Sequence, residues 1–79
     1  MSDQLQILFF GQLTDLTGCT RTDLPRPADT NELLQQLYEK YPLLREAKHV
    51  VTVNRQIIRQ NTPLPASAEI ALLPPFSGG

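Results

Sequence analysis

The sequence predicts a single α+β domain, a mixed sheet packed on one main helix. Three observations carry that reading. Short apolar runs recur at both ends of the chain, as strands do. One segment, from Asp29 to Tyr41, repeats its apolar residues at helical spacing. The predicted order is β-β-α-β-β-β, so a strand must reach a parallel neighbour by a crossover, which the helix supplies. At 79 residues there is room for one small domain and no second.

Leu5 to Phe10 is the first strand. By period two, Leu5, Ile7 and Phe9 share one face, and Leu8 and Phe10 the other. Gly11 to Gly18 is bracketed by glycines and reads as a turn or short helical turn, with Leu13 and Leu16 pointing inward. Thr20 to Leu24 is a second strand, antiparallel to the first and ended by Pro25 and Pro27. Asp29 is the expected N-cap of the helix, with Glu32 three residues on as in a capping box. Leu33, Leu34, Leu37, Tyr38 and Tyr41 form its apolar stripe, and Pro42 ends it. Leu43 to Lys48 holds a further turn. Val50 to Val53 is the third strand. Asn54-Arg55-Gln56 is a tight turn, Ile57-Ile58 a short fourth strand, and Asn61 to Ser67 an irregular loop. Glu69 to Leu73 is the last strand.

Composition excludes several function classes. A net charge of −1 with no basic run argues against nucleic acid. No apolar stretch approaches the roughly 18 residues of a membrane span. The opening Met1-Ser2-Asp3-Gln4 is polar and acidic, the reverse of a signal peptide. The single cysteine, Cys19, fits a reducing, cytoplasmic setting. One His and one Cys make no metal set, so no metal is expected. His49 reads as a strand-end or surface residue. Cys19 sits in a Gly-Cys-Thr turn with no base marked to activate it.

The functional expectation rests on the C-terminus. Residues 1–73 form the domain, and 74–79 an extended tail. Pro74 and Pro75 lack amide donors and eject the chain. Gly78 and Gly79 are the slimmest backbone available. Six extended residues reach roughly 20 Å. The tail Pro74, Pro75, Phe76, Ser77, Gly78, Gly79 is therefore shaped for threading into another protein's active site, its reacting group being the Gly79 carboxylate. A single helix covers one sheet face only. Leu8, Phe10, Ile57 and Leu73 are the expected partner-binding patch on the other, near the root of the tail.

These residues resemble a known family. Leu8-Phe9-Phe10-Gly11-Gln12-Leu13, Leu16-Thr17-Gly18, Val53-Asn54 and Glu69 to Gly79 are similar to the small, sulfur-carrying subunit of molybdopterin synthase (the MoaD type). The match runs the length of the chain; its specific part is Pro-Pro-x-Ser-Gly-Gly at the C-terminus after a Glu-x-Ala-x-x strand. The resemblance implies a β-grasp, ubiquitin-like fold. It implies that an E1-like adenylyltransferase consumes ATP to make a transient acyl-adenylate at Gly79, and that a sulfurtransferase route converts this to a thiocarboxylate. The sulfur then passes to cyclic pyranopterin monophosphate inside the large synthase subunit, in a heterotetramer of two small and two large chains. No stably bound cofactor is implied, and the chain is not an enzyme on its own. Two features depart from the family pattern: Ala66-Ser67-Ala68-Glu69 stands in place of a Gly-Asp turn, and Phe76 is bulkier than the usual aliphatic residue. Alternative readings are a thiamin-thiazole sulfur carrier, against which Pro74-Pro75 argues, a ubiquitin-like protein modifier, and a non-catalytic β-grasp interaction domain with an inert tail.

Overall fold

Alternating burial along the first strand sets the layers of the molecule. In the computed structural model, which describes residues 4–75, β1 is Gln4–Phe9. Leu5, Ile7 and Phe9 are buried, while Phe10, just beyond the strand, is 45% exposed. The order continues with α1 (Leu13–Thr17), β2 (Arg21–Pro25), α2 (Thr30–Lys40), a 3₁₀ turn (Pro42–Glu46), β3 (Val50–Val53), β4 (Gln56–Ile58) and β5 (Ile70–Leu73). The five strands lie in the order β2-β1-β5-β3-β4. Among the described residues, only β1 and β5 pair in parallel; the other three ladders are antiparallel. The sheet is thus mixed, with one main helix, as the element order predicted. Strand ends differ from the sequence reading by one residue.

The register puts one apolar layer under α2. Ile7 pairs with Ile70, which pairs with Val53; Phe9 pairs with Leu72, which pairs with Val51 and, through it, Ile58. Leu33 and Leu37 of α2 pack onto this layer fully buried, and Leu34, Tyr38 and Tyr41 flank them partly buried. The Phe9 and Tyr41 rings meet edge to face, centroids 5.6 Å apart. Leu13 of α1 and Leu44 of the 3₁₀ turn close the ends of the core.

Both ends of α2 follow from local chemistry. The Asp29 carboxylate accepts the Glu32 amide at 2.9 Å, which is the predicted cap. Asn61 reaches over from the loop after β4. Its side-chain carbonyl accepts the Asn31 amide at 2.8 Å, and its amide donates to Asp29 at 3.2 Å. These donors hold the Asp29 carboxyl below its usual range, the Glu32 amide contributing most. At the far end Pro42 cannot continue the helix and instead starts the 3₁₀ turn.

Two turns settle points the sequence left open. Asn54 and Arg55 both take positive φ, +52° and +68°, in a two-residue hairpin loop. The non-glycine turn before β5 closes through the Ala68 amide, which donates to the Pro65 carbonyl at 3.2 Å, with no positive φ. The missing Gly-Asp pair is therefore no obstacle to the turn.

Candidate functional site

Strand pairing builds a second row across the sheet, on the face away from α2. Arg21 pairs with Leu8, Leu8 with Ala71, Ala71 with Thr52, and Thr52 with Ile57. Paired residues point to the same side, so all five share one face. At 4.7–4.9 Å between strands, the row is roughly 19 Å wide. Leu73, paired with Val50, extends the surface toward the end of β5.

Phe10 is held over this face by its backbone. Its amide donates to the Leu72 carbonyl, continuing the parallel ladder past the end of β1. Its carbonyl accepts the Leu13 amide, starting α1. The ring is thereby presented outward from a fixed position. Leu8, Phe10, Ala71 and Leu73 then line a shallow concavity of about 320 Å³, rimmed by Arg55 and Glu69. The Arg55 and Glu69 side chains form an exposed ion pair at 3.5 Å, of a kind that contributes little to stability.

All four predicted patch residues, Leu8, Phe10, Ile57 and Leu73, lie on the expected face. Phe10 and Ile57 are 45% and 44% exposed; Leu8 and Leu73 are half-buried. The 59–68 loop does not cover them. It is tied to the helix side by Thr30 donating to the Thr62 carbonyl and Leu64 to the Ala28 carbonyl. Thr52, in the middle of the row, breaks the apolar surface chemically, but it is only 7% exposed and its hydroxyl donates to the Ala71 carbonyl. Arg55 escaped the sequence reading as a site residue; an arginine in a tight turn beside an apolar strand end was the available signal.

The tail leaves from the rim of this surface. Gly11 takes φ +59°, and a methyl built on it would lie 2.8 Å from Cγ of Pro74. The proline ring therefore packs directly on the bare Gly11 backbone, where no other residue fits without displacement. Pro74 and Pro75 are the described part of the tail; Phe76, Ser77, Gly78 and Gly79 lie outside the described residues.

The remaining candidates are structural. His49 accepts a proton-bearing partner on one side and gives on the other: its Nδ1 lies 2.7 Å from the Ala47 carbonyl, an acceptor, so Nδ1 carries the proton. In the neutral ring Nε2 then accepts from the Tyr38 hydroxyl at 3.0 Å. Burial pushes the Tyr38 phenol up, opposed by nearby Arg45. Cys19 lies 3.5 Å from the Tyr41 hydroxyl, and that contact draws its thiol below the usual range, against partial burial. Tyr41 and Lys40 both donate to Thr22 behind it. Among the described residues, no base adjoins the thiol to drive chemistry. Among the described residues, no three His, Cys, Asp or Glu side chains gather to hold a metal, and no helix is long and apolar enough to cross a membrane.

The fold recurs in known proteins, and a family model matches residues 7–79. The chain belongs to the ThiS family. It is 30% identical to the molybdopterin synthase sulfur carrier subunit of Escherichia coli (strain K12), over 95% of this chain and 99% of that one. Among solved structures, the complex of subunits 1 and 2 of molybdopterin-converting factor from Helicobacter pylori 26695 contains a chain 29% identical to this one. That match covers 96% of this chain and 99% of that one, with a TM-score of 0.71. The small archaeal modifier protein 1 of Methanosarcina acetivorans shares the ubiquitin-like fold at 24% identity, with a TM-score of 0.80 over 100% of this chain and 99% of that one. As a ThiS-family domain, the protein has the β-grasp architecture that the sequence resemblance implied.

Proposed function

We propose that this ThiS-family protein is the sulfur carrier subunit of a molybdopterin synthase. The observation that carries the reading is the adjacency of an exposed apolar face and a fixed tail root. Phe10 and Leu73 hold the partner surface, and Gly11 and Pro74, the next residue on each strand, aim the tail. A docked large subunit would thus receive the tail in a set direction. The names of the relatives and the two-subunit Helicobacter complex support this partner over the others.

The chemistry follows from the carboxylate at Gly79. A carboxylate is a poor electrophile, since its charge repels nucleophiles and oxide is a poor leaving group. One carboxylate oxygen bonds to the α-phosphorus of ATP on an E1-like adenylyltransferase, and pyrophosphate leaves. A hydrosulfide equivalent from a sulfurtransferase then attacks the acyl carbon; AMP leaves with that oxygen, and a thiocarboxylate remains. In the large subunit its sulfur displaces an oxygen substituent from a side-chain carbon of cyclic pyranopterin monophosphate, so that a carbon–sulfur bond forms as the carbon–oxygen bond breaks, and water then cleaves the acyl–sulfur bond, leaving the sulfur on the pterin and restoring the carboxylate. Gly78 and Gly79 let the backbone pass a narrow channel and approach the nucleotide phosphates. The partners supply acid, base and oxyanion donors.

Intact mass after co-expression with an activating enzyme and sulfur donor tests this directly. The chain should gain the mass difference between sulfur and oxygen. Deleting Gly79 should abolish the gain and leave the melting temperature unchanged. A sulfurated truncated chain, or a full chain that is never sulfurated and captures no large subunit, would refute the proposal. Conjugates to lysines of other proteins would favour the modifier reading instead.

A further inference from the structure

A groove of about 780 Å³ lies on the helix side of the sheet, between α2 and the β3–β4 edge. Its floor is apolar: Leu34 and Tyr38 of α2 and Ile58 of β4 are half-buried there, beside buried Val51. Among the described residues, the exposed cations Arg45, Lys48 and Arg59 line its rim against the one carboxylate of Glu46. The groove is therefore basic in a chain whose net charge is −1. Among the described residues, none of these three cations forms an ion pair; Arg45 instead lies over the Tyr38 ring, 5.7 Å from its centroid. Like charges gathered round an apolar floor repel one another, and an acidic occupant relieves that repulsion.

A sheet edge forms one wall. β4 comes last in the order β2-β1-β5-β3-β4, so one side of its backbone faces no other strand. Val53 and Gln56 close the two-residue hairpin and exchange hydrogen bonds. Bonded and non-bonded pairs alternate along an antiparallel ladder, so the next pair, Thr52 and Ile57, is non-bonded. The Ile57 amide and carbonyl therefore point away from β3, over the open edge. Among the described residues, no backbone group meets them. They offer pairing to one more extended chain. Ile57 thus gives its backbone to the groove and its side chain to the Phe10 face.

The length suits a short peptide. Thr30 and Tyr38 both line the groove, and the helix rise separates them by roughly 12 Å. About four extended residues cover that distance. Alternate side chains of such a segment point the same way, so half of them reach the apolar floor. β4 is only three residues long. Backbone pairing there is brief, so the floor and the cations must supply most of the affinity.

We propose that this groove binds an extended acidic segment of another protein, added as a strand along the open edge of β4. Apolar side chains of the segment rest on Leu34 and Ile58, and its carboxylates meet Arg45, Lys48 and Arg59. Leu8 and Phe10 lie across the sheet and stay free. The proposal goes beyond the sulfur-carrier reading and does not depend on it.

Solution NMR of the full-length protein tests this with a synthetic probe, a short peptide capped at both ends that alternates valine with glutamate. At low salt the probe should shift the Ile58 amide and the Leu34 and Ile58 methyls, and leave Leu8, Phe10 and Ala71 in place. It should also slow exchange of the Ile57 amide with solvent. Peptides with lysine in place of glutamate, or serine in place of valine, should do none of this. Lys48→Glu combined with Arg59→Glu alters two exposed side chains, so the melting temperature should hold while probe affinity falls about tenfold. Added salt should weaken binding to the native chain in the same direction, without any substitution. No shift at millimolar probe would overturn the proposal. So would equal binding of the lysine or serine peptide, shifts confined to the Phe10 face, an Ile57 amide unprotected in the complex, or unchanged affinity in the double variant. Sulfuration is scored separately by mass, so the failure of either idea is visible without the other.

Discussion

Gly11→Ala should separate the positioning of the tail from the stability of the fold, with Gly18→Ala as its control. Both glycines have positive φ, +59° and +76°. An L-residue in that region costs roughly 1–2 kcal/mol, so both variants carry that cost. They differ in surroundings. A methyl at Gly18 meets nothing within 4 Å, whereas at Gly11 it meets Cγ of Pro74 at 2.8 Å. Ordinary carbon contacts sit at about 3.5–4.0 Å, so Pro74 must retreat by roughly 0.7 Å or more. Its ring is closed onto the backbone, so Cγ has no free rotamer and retreats only by repuckering or by a shift of the tail root. The methyl would also meet Cδ at 3.4 Å, the near limit of ordinary contact, and the variant is expected to move the root of the tail.

Gly18→Ala should therefore lose about 1–2 kcal/mol, a fall in melting temperature of roughly 4–16 °C for a domain of this size. Gly11→Ala should lose at least as much. The decisive difference is functional. Corrected for folded fraction, Gly18→Ala should bind the large synthase subunit and accept sulfur normally. Gly11→Ala should do both less well, since a 1 Å misplacement far from the chemistry can cost about a hundredfold in rate. Denaturant titration, affinity and sulfuration kinetics on both variants provide the comparison. Equal losses in all three would refute the claim that the Gly11–Pro74 contact aims the tail.

Phe10→Ala should leave the denaturant midpoint near native and weaken large-subunit binding by about 2 kcal/mol, roughly thirtyfold. Phe9→Ala should instead cost about 3–5 kcal/mol of stability; calorimetric binding and denaturant titration of each variant check the contrast. Arg55→Gly relieves a left-handed arginine and should stabilise the fold by about 1 kcal/mol, while affinity for the partner falls because a rim cation of the concavity is lost. Asp29→Asn should flatten the acid limb of the stability curve. The folded carboxyl titrates below its ordinary range, so its contribution is complete above the unfolded pKa and is lost as pH falls through the folded one. Thermal melts between neutral and acid pH compare the two slopes.

Most of the fold was legible because strands and helices write their period into the chain. Leu5, Ile7 and Phe9 against Leu8 and Phe10 set the two faces of β1, and Asp29 marked the start of α2. The contacts that escaped are those between elements remote in sequence. Asn61 caps a helix that begins thirty residues earlier. Cys19 meets Tyr41 only because β2 and the end of α2 converge. The groove behind β4 depends on where the helix lies over the sheet. No local pattern encodes such distances; they appear once pairing and packing are known.

The Gly11–Pro74 contact belongs to an intermediate class, and in the proposed function it ties binding to delivery. In the parallel ladder Ile7 pairs with Ile70, Leu8 with Ala71 and Phe9 with Leu72. Carried forward by single steps, that register puts Phe10 beside Leu73 and Gly11 beside Pro74. The aromatic anchor and the tail pivot are thus consecutive rungs of one ladder. A slip of one residue would exchange every side chain between the core and the partner face. It would bury Leu73, expose Leu72 and set Pro74 against Phe10 or Gln12. The register that makes a stable core is the same one that places a glycine where the proline needs it. On the proposed reading, partner recognition and tail direction cannot drift apart while the domain stays folded.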